Sequence, residues 1–197
     1  MEAIELIGAL LGIAYLVLQY KANAWMWVFS LLMSLLYTYI NFTHHLYANA
    51  VLQVVFSAMA VVGLLEWVGL RQQKNRPITS LPRSMVPTLI GITLAMTLAA
   101  IGILQWVGES DNLLFDSLTT SINLTGTWML IRKYYQEWIC WLIVDPMMCV
   151  MYALSGLWTS AALYAIFSVV VIFGYLRWKR EALTALQDEQ HTTTDIQ

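Results

Sequence analysis

The sequence predicts an all-α integral membrane protein: seven transmembrane helices, arranged as two parallel three-helix repeats joined by a single linker helix. Three observations predict it. Only 11% of the 197 residues are charged and 59% are hydrophobic, whereas soluble domains carry about 25% charge. All ten Lys and Arg fall on one side when the chain is threaded through a bilayer seven times. The first three and last three spans share an ordered set of matching residues.

The elements follow from turn and charge signals, given that a spanning helix needs about 20 apolar residues. Met1-Glu2-Ala3 lacks the basic start of a signal peptide, and no small-residue cleavage site follows. Span 1 therefore runs over 4–20 and stops at Lys21-Ala22-Asn23. Residues 22–65 hold no Asp, Glu, Lys or Arg. The Thr43-His44-His45 turn divides that stretch into span 2, 25–41, and span 3, 47–69. A basic segment from Arg71 to Arg83 precedes span 4, 86–107. Gly108-Glu109-Ser110-Asp111 then leads into span 5, 113–131. Arg132 to Glu137 separates it from span 6, 138–154, and Ser155-Gly156 breaks the chain before span 7, 158–176. The chain divides into a first repeat over 1–70, a basic loop and linker helix over 71–112, a second repeat over 113–178, and a polar tail over 179–197, read as the frayed end of a cytosolic helix.

Loop charges orient these spans. Lys21, Arg71, Lys74, Arg76, Arg83, Arg132, Lys133, Arg177, Lys179 and Arg180 share one side. Glu2, Glu5, Glu109 and Asp111 lie on the other. The positive-inside rule makes the basic side cytoplasmic, with the N-terminus outside and the C-terminus inside. Trp25, Trp27, Trp67, Trp106, Trp138, Trp158 and Trp178 sit near span ends and read as an interface belt.

The repeat is carried by two offsets. An offset of 113 matches Tyr15 with Trp128, Asn23 with Gln136, Trp25 with Trp138 and Tyr39 with Tyr152. An offset of 111 then matches Ala50 with Ala161, Phe56 with Phe167, Ser57 with Ser168, Gly63 with Gly174 and Trp67 with Trp178. One intervening span makes both triplets cross in the same direction, a transporter plan with its cargo site between the repeats near the midplane.

Polar groups inside spans are functional candidates. Asp145 stands near the middle of span 6, and Trp141, Asp145, Met148 and Tyr152 share one helix face. A carboxylate flanked by aromatic rings suits a flat cation through charge and cation–π attraction. Asp145 also precedes Pro146, so satisfying groups freed by that proline, or pairing with Arg132, are alternative roles. Span 5 carries Asp116, Thr120, Asn123 and Thr127 at helical spacing; these amides and hydroxyls can read ring heteroatoms or bond between helices, the latter worth about 0.6 kcal/mol each. Gln53 and Tyr164 correspond under the 111 offset and read as one cargo-facing position used twice. The candidate cargo contacts are thus Asp145, Trp141, Asn123, Gln53, Tyr152, Tyr164, Trp128, Tyr39 and Thr127. Glu66 reads as snorkelling or pairing with Arg71, and His44-His45 as a solvated turn rather than a metal site. Cys140 and Cys149 make no disulfide scaffold, and a net charge of −2 gives no pull on nucleic acid.

Other classes fit less well. No Gly-x-Ser-Gly or His-Glu-x-x-His marks a membrane enzyme, and span 7 has no lysine for a retinal Schiff base. A small channel stays open as an alternative.

Phe115-Asp116-Ser117, Arg132-Lys133-Tyr134, Glu137-Trp138, Trp141-Leu142-Ile143-Val144-Asp145 and the run from Gly156-Leu157 to Ala165 resemble the second triplet of the PnuC vitamin-transporter family. Leu46-Tyr47-Ala48 followed by Gln53 resembles its first. The resemblance covers about 4–180. It implies a 3-1-3 helix plan similar to the SWEET sugar carriers, a homotrimer in the bacterial inner membrane, and uptake of an unphosphorylated vitamin precursor by facilitated diffusion. A cytosolic kinase would trap the cargo, with no cofactor. The family's cargoes are thiamine and nicotinamide riboside, both ring cations. Riboside carriers are expected to place an Asn midway along span 2. Ser30 to Ser34 has no amide there, which tilts the expectation toward thiamine.

Overall fold

The computed structural model describes residues 2–69, 76–108 and 112–194, with side chains over 10–69, 76–108 and 112–187. Arg71, Lys74, Glu109 and Asp111, used above to assign the two sides, lie outside the described residues, as do the side chains of Glu2 and Glu5.

Seven long helices follow one another: α1 (Glu2–Tyr20), α2 (Trp25–Thr43), α3 (Tyr47–Trp67), α4 (Val86–Val107), α5 (Leu113–Ile131), α6 (Glu137–Leu154) and α7 (Trp158–Thr194), with a 3₁₀ turn at Arg83–Met85. Five of the spans, α2, α3, α4 with its 3₁₀ entry, α6 and α7, are long and apolar enough to cross a membrane; Leu10–Tyr20 of α1 is a shorter apolar helix. α5 is not among them, because it carries the polar stripe Asp116, Thr120, Asn123 and Thr127. The observed bounds follow the sequence reading closely at six helices. The exception is α7, which continues for 37 residues: no Pro or Gly follows Gly174 to stop it, and Ala182 is buried in the core.

The breaks between helices are local. Asn23 Oδ1 accepts from the Trp25 backbone N–H at 2.9 Å and starts α2. Ala22 and Lys133 both adopt left-handed backbone (φ 50° and 56°) at the turns before α2 and α6. That conformation is uncommon for residues with a Cβ. At the other end His45 and Gly156 are left-handed (φ 60° and 75°). The Leu46 N–H bonds to the Asn41 carbonyl at 2.9 Å and the Leu157 N–H to the Tyr152 carbonyl at 2.8 Å. Pro87 opens α4, where its missing donor is harmless, and Gly108 closes it in a left-handed cap.

The packing has the same reciprocity. α2 lies against α3 as α6 lies against α7, and the two triplets meet where α1 touches α7 and α3 touches α5. Trp27 packs face-on against Gly63, and Trp138 against Gly174; a Cβ at either glycine would come within 2.7 Å of the indole carbons. Trp27 meets Trp67 edge-on at 5.9 Å, and Trp138 meets Trp178 edge-on at 5.7 Å. Trp67 and Trp178 face each other at 6.2 Å between the triplets. Trp67 Nε1 donates to the Ile131 carbonyl at 3.2 Å, and Trp178 Nε1 donates to the Tyr20 carbonyl at 3.3 Å. Both the Trp27 and Trp138 Nε1 groups are buried without a hydrogen-bond partner among the described residues, each a cost of about 1–3 kcal/mol.

Two sequence expectations are corrected here. Trp27, Trp67, Trp138 and Trp178 are at most 7% exposed and form a core cluster rather than an interface belt. Trp25, Trp106 and Trp158 are 64%, 88% and 71% exposed and suit the belt. The 113 offset is also wrong. Every reciprocal contact above relates residues 111 apart, so Trp27, not Trp25, stands where Trp138 stands.

The segment before α4 is clasped to the α5–α6 turn. The Thr79 N–H bonds to the Lys133 carbonyl at 3.0 Å and the Tyr135 N–H to the Thr79 carbonyl at 3.1 Å. The Leu81 N–H donates to Gln136 Oε1 at 2.9 Å, and Gln136 Nε2 donates to Ser80 Oγ at 2.8 Å. Lys133 Nζ donates to the Arg76 carbonyl at 3.1 Å and lies 4.6 Å over the Trp67 ring. Burial and the nearby Arg76 guanidinium lower the Lys133 ammonium below its ordinary range.

Candidate functional site

Above the tryptophan cluster, α6 and α7 of the second triplet and α1 of the first enclose a column of polar and aromatic groups. α6 supplies three of them at one-turn spacing: Glu137, Trp141 and Asp145 lie at i, i+4 and i+8 on one face. Asp145 is 8% exposed and makes neither an ion pair nor a hydrogen bond to any described residue. Pairing with Arg132 is therefore absent among the described residues. Tyr15 of α1 and Tyr164 of α7 are within electrostatic reach of Asp145. Toward the C-terminal end of α6, the Tyr152 and Tyr164 rings sit 5.3 Å apart, with Tyr37 of α2 close enough to interact with both. Phe167 stacks behind Tyr164 at 5.6 Å and approaches Gly12 of α1.

Two turns before Asp145 on α6, the Glu137 side chain is wholly buried. Gln19 Nε2, from α1, donates to both of its carboxyl oxygens at 3.1 Å. Trp141 Nε1 donates to Glu137 Oε2. Gln19 is itself 1% exposed. The column therefore holds two carboxyl groups, where the sequence reading counted Asp145 alone.

The nine sequence-derived candidates divide. Asp145, Trp141, Tyr152 and Tyr164 come together in the column. Gln53 is half-buried on α3, and its side-chain amide makes no hydrogen bond to a described residue; its carbonyl accepts from Ser57 Oγ, which pairs with Ser34 Oγ at 2.8 Å. Asn123 is half-buried on α5 with its amide likewise unbonded among the described residues. Thr127 is buried, and its hydroxyl donates to the Asn123 carbonyl at 2.8 Å, so its proton is committed within α5. Trp128 turns away, packing on Tyr134 at 6.0 Å and lining a 450 Å³ cavity with Val55, Met59 and Met85. Tyr39 is 69% exposed and joins nothing in the column. Of the span 5 stripe, Asp116 and Thr120 line a different, 520 Å³ groove between α3 and α4.

Sequence reasoning passed over Tyr15, Gln19 and Glu137. By sequence Glu137 falls at the end of the Arg132–Glu137 loop; in the structure it is the first residue of α6. Its spacing from Trp141 and Asp145 was the available signal. Among the described residues no group of His, Cys, Asp and Glu could hold a metal ion.

The model of the family described as nicotinamide mononucleotide transporter matches residues 2–180. This chain belongs to the PnuC family. The family is one of transporters, not enzymes, and its members are membrane proteins. The nicotinamide riboside transporter PnuC of Escherichia coli (strain K12) is 25% identical over 207 residues, covering 92% of this chain and 85% of that protein. The protein of the same name from Haemophilus influenzae is 24% identical, covering 90% and 79%. A third, from Neisseria mucosa, is 21% identical, covering 88% and 71%. The crystal structure of the vitamin B3 transporter PnuC superposes with a TM-score of 0.71 at 18% identity, covering 90% of this chain and 81% of that one. PnuC membership agrees with the sequence resemblance, and the shared fold accounts for the seven-helix order.

Proposed function

We propose that this PnuC protein takes up an unphosphorylated, flat, cationic vitamin precursor by facilitated diffusion, with metabolic trapping by a cytosolic kinase, and that thiamine is the preferred cargo. The observation that carries the reading is Asp145: a buried carboxyl group with no partner among the described residues, set among Trp141, Tyr15 and Tyr164. A cation with an aromatic ring supplies what that site lacks, a counter-charge and a face to stack. Gln53 and Asn123 offer amides with unspent hydrogen-bonding capacity. The thiamine preference rests on span 2: Ser34, one of its two mid-span serines, already bonds Ser57 and the Leu31 carbonyl, and no amide stands beside it. Nicotinamide riboside is the second reading, favoured by the names of the relatives in three organisms.

The proposed plan is two parallel three-helix repeats, α1–α3 and α5–α7, joined by α4, with the site between them. The reciprocal indole bonds and glycine contacts at one constant offset support it, since a two-fold relation requires residue i to meet j as j meets i. We place the protein in the inner membrane as a homotrimer, N-terminus outside and C-terminus cytoplasmic, on the loop charges and the family resemblance. Calorimetric titration of the purified protein with thiamine and nicotinamide riboside tests the reading. One or both should bind, and the phosphorylated forms should not; a protein that binds neither vitamin defeats it.

A further inference from the structure

We propose that Glu137 is a second, inner station for the cargo's cation, occupied after Asp145 on the way to the cytosol; this rests on the carrier reading above. Three observations carry it. Glu137 is wholly buried and has no Lys, Arg or His partner among the described residues. Its contacts are the neutral donors Gln19 Nε2 and Trp141 Nε1. A buried carboxyl group held only by neutral donors has no counter-charge to offset its ionisation away from water. An organic cation arriving from the outer site supplies that charge.

The second observation is the continuity between the stations. Glu137 and Asp145 are eight residues apart on one face of α6, or roughly 12 Å at the helical rise per residue. Trp141 lies between them, one turn from each, and its indole N–H already belongs to Glu137. Tyr15 is within electrostatic reach of both carboxyl groups. A flat cation leaving Asp145 can therefore slide along the Trp141 ring without losing either an aromatic face or a negative neighbour. Asp145, more than nine-tenths buried and without a hydrogen-bond or ion-pair partner among the described residues, marks the start of that route independently.

The third is the position of Gln19. It reaches Glu137 from α1, in the other triplet, so the bond ties the two triplets together at the proposed inner station. Before cargo arrives, Gln19 fills the inner station and closes the route below Asp145. The cation displaces Gln19, and the same event that loads Glu137 removes the bond between the triplets. Cargo is thus coupled to opening by differential binding to the open form.

The test uses full-length protein in proteoliposomes, with calorimetric thiamine binding and counterflow of labelled thiamine at equal pH on both sides. Glu137→Gln keeps the size and a hydrogen-bonding group but removes the charge. It should hold the binding constant within about twofold, because Asp145 is untouched, and slow counterflow by about tenfold or more. Glu137→Asp keeps the charge and should retain most of the counterflow. Gln19→Leu keeps the carboxyl group and removes the plug, so its counterflow should exceed wild type; counterflow at or below wild type overturns the proposal, which preserves the decision if Glu137→Gln fails to insert. Counterflow by Glu137→Gln equal to wild type, with Glu137→Asp impaired, makes the residue a latch and overturns the proposal. Unchanged counterflow with loss of a pH-gradient effect on uptake makes it a proton site and also overturns it. Wild-type protein that neither binds nor exchanges thiamine or nicotinamide riboside refutes the carrier reading itself.

Discussion

Replacing Gly174 with alanine tests the packing that joins α6 to α7. A Cβ there would stand 2.6 Å from Trp138 Cη2 and Cζ3 and 2.7 Å from Cε3. Carbon pairs settle near 3.5–4.0 Å, so the ring or the helix must yield by about 1 Å. The ring has no room to yield: it is 0% exposed and held edge-on by Trp178. Overpacking of this kind costs about 1–3 kcal/mol. The better helix propensity of alanine returns up to about 1 kcal/mol. With a net loss of about 1 kcal/mol and about 2–4 °C per kcal/mol for a chain of this size, Tm should fall by about 2–4 °C. Gly63→Ala should do the same, because its Cβ would meet the Trp27 ring at 2.5–2.6 Å. Gly91 and Gly102 of α4 have nothing within 4 Å, and alanine there should leave Tm unchanged or raise it. The assay is thermal unfolding in detergent, followed by tryptophan fluorescence. If Gly174→Ala and Gly63→Ala melt with Gly91→Ala, the close indole contacts do not hold the triplets and the packing argument fails.

Three further outcomes are expected. Asp145→Asn should weaken thiamine binding by about tenfold or more, with the protein still folded and inserted; unchanged affinity in the titration makes Asp145 structural. Gln53→Leu and Asn123→Leu should each weaken binding more than Glu66→Gln, and equal or reversed losses remove the two amides from the site. Lys133, in the α5–α6 turn, holds its proton less tightly folded than unfolded, because of burial and Arg76. Stability should therefore rise as pH climbs from that lowered value through the ordinary 10.5. Lys133→Met should flatten the rise in a pH series of melting curves, and a variant that keeps it would show that another group titrates.

The helices were legible because a bilayer imposes one length and one charge rule on every span. α4 and α5 emerge with the bounds that charge-free stretches and turn residues indicated. The fate of the tryptophans was not legible. An indole near a span end satisfies a headgroup layer and a buried contact equally well, and what separates Trp25 from Trp27 is Gly63, on another helix. The same two-residue ambiguity produced the mixed offset. Asp145 was visible as an isolated charge in an apolar run, and its aromatic neighbours followed from helical spacing. Glu137 was hidden by its place at the loop boundary, and its partner Gln19 is 118 residues away. Tyr39 is 69% exposed and Trp128 packs on Tyr134 from another helix, and neither fate shows in the spacing that brings Tyr152 and Tyr164 together.

The clasp between residues 76–81 and 133–136 has a mechanical consequence. It pins the entrance of α4 to the threshold of α6, while α4 also packs along α5. We expect these helices to move as a single rigid load, with α7, packed along α6, going with them. Under the transport proposed above, rocking would divide the protein unequally, with α1–α3 as the light arm and the remaining four helices as the heavy one. Spin labels on α4 and α6 should keep a constant separation through turnover, while a pair on α1 and α6 reports the stroke.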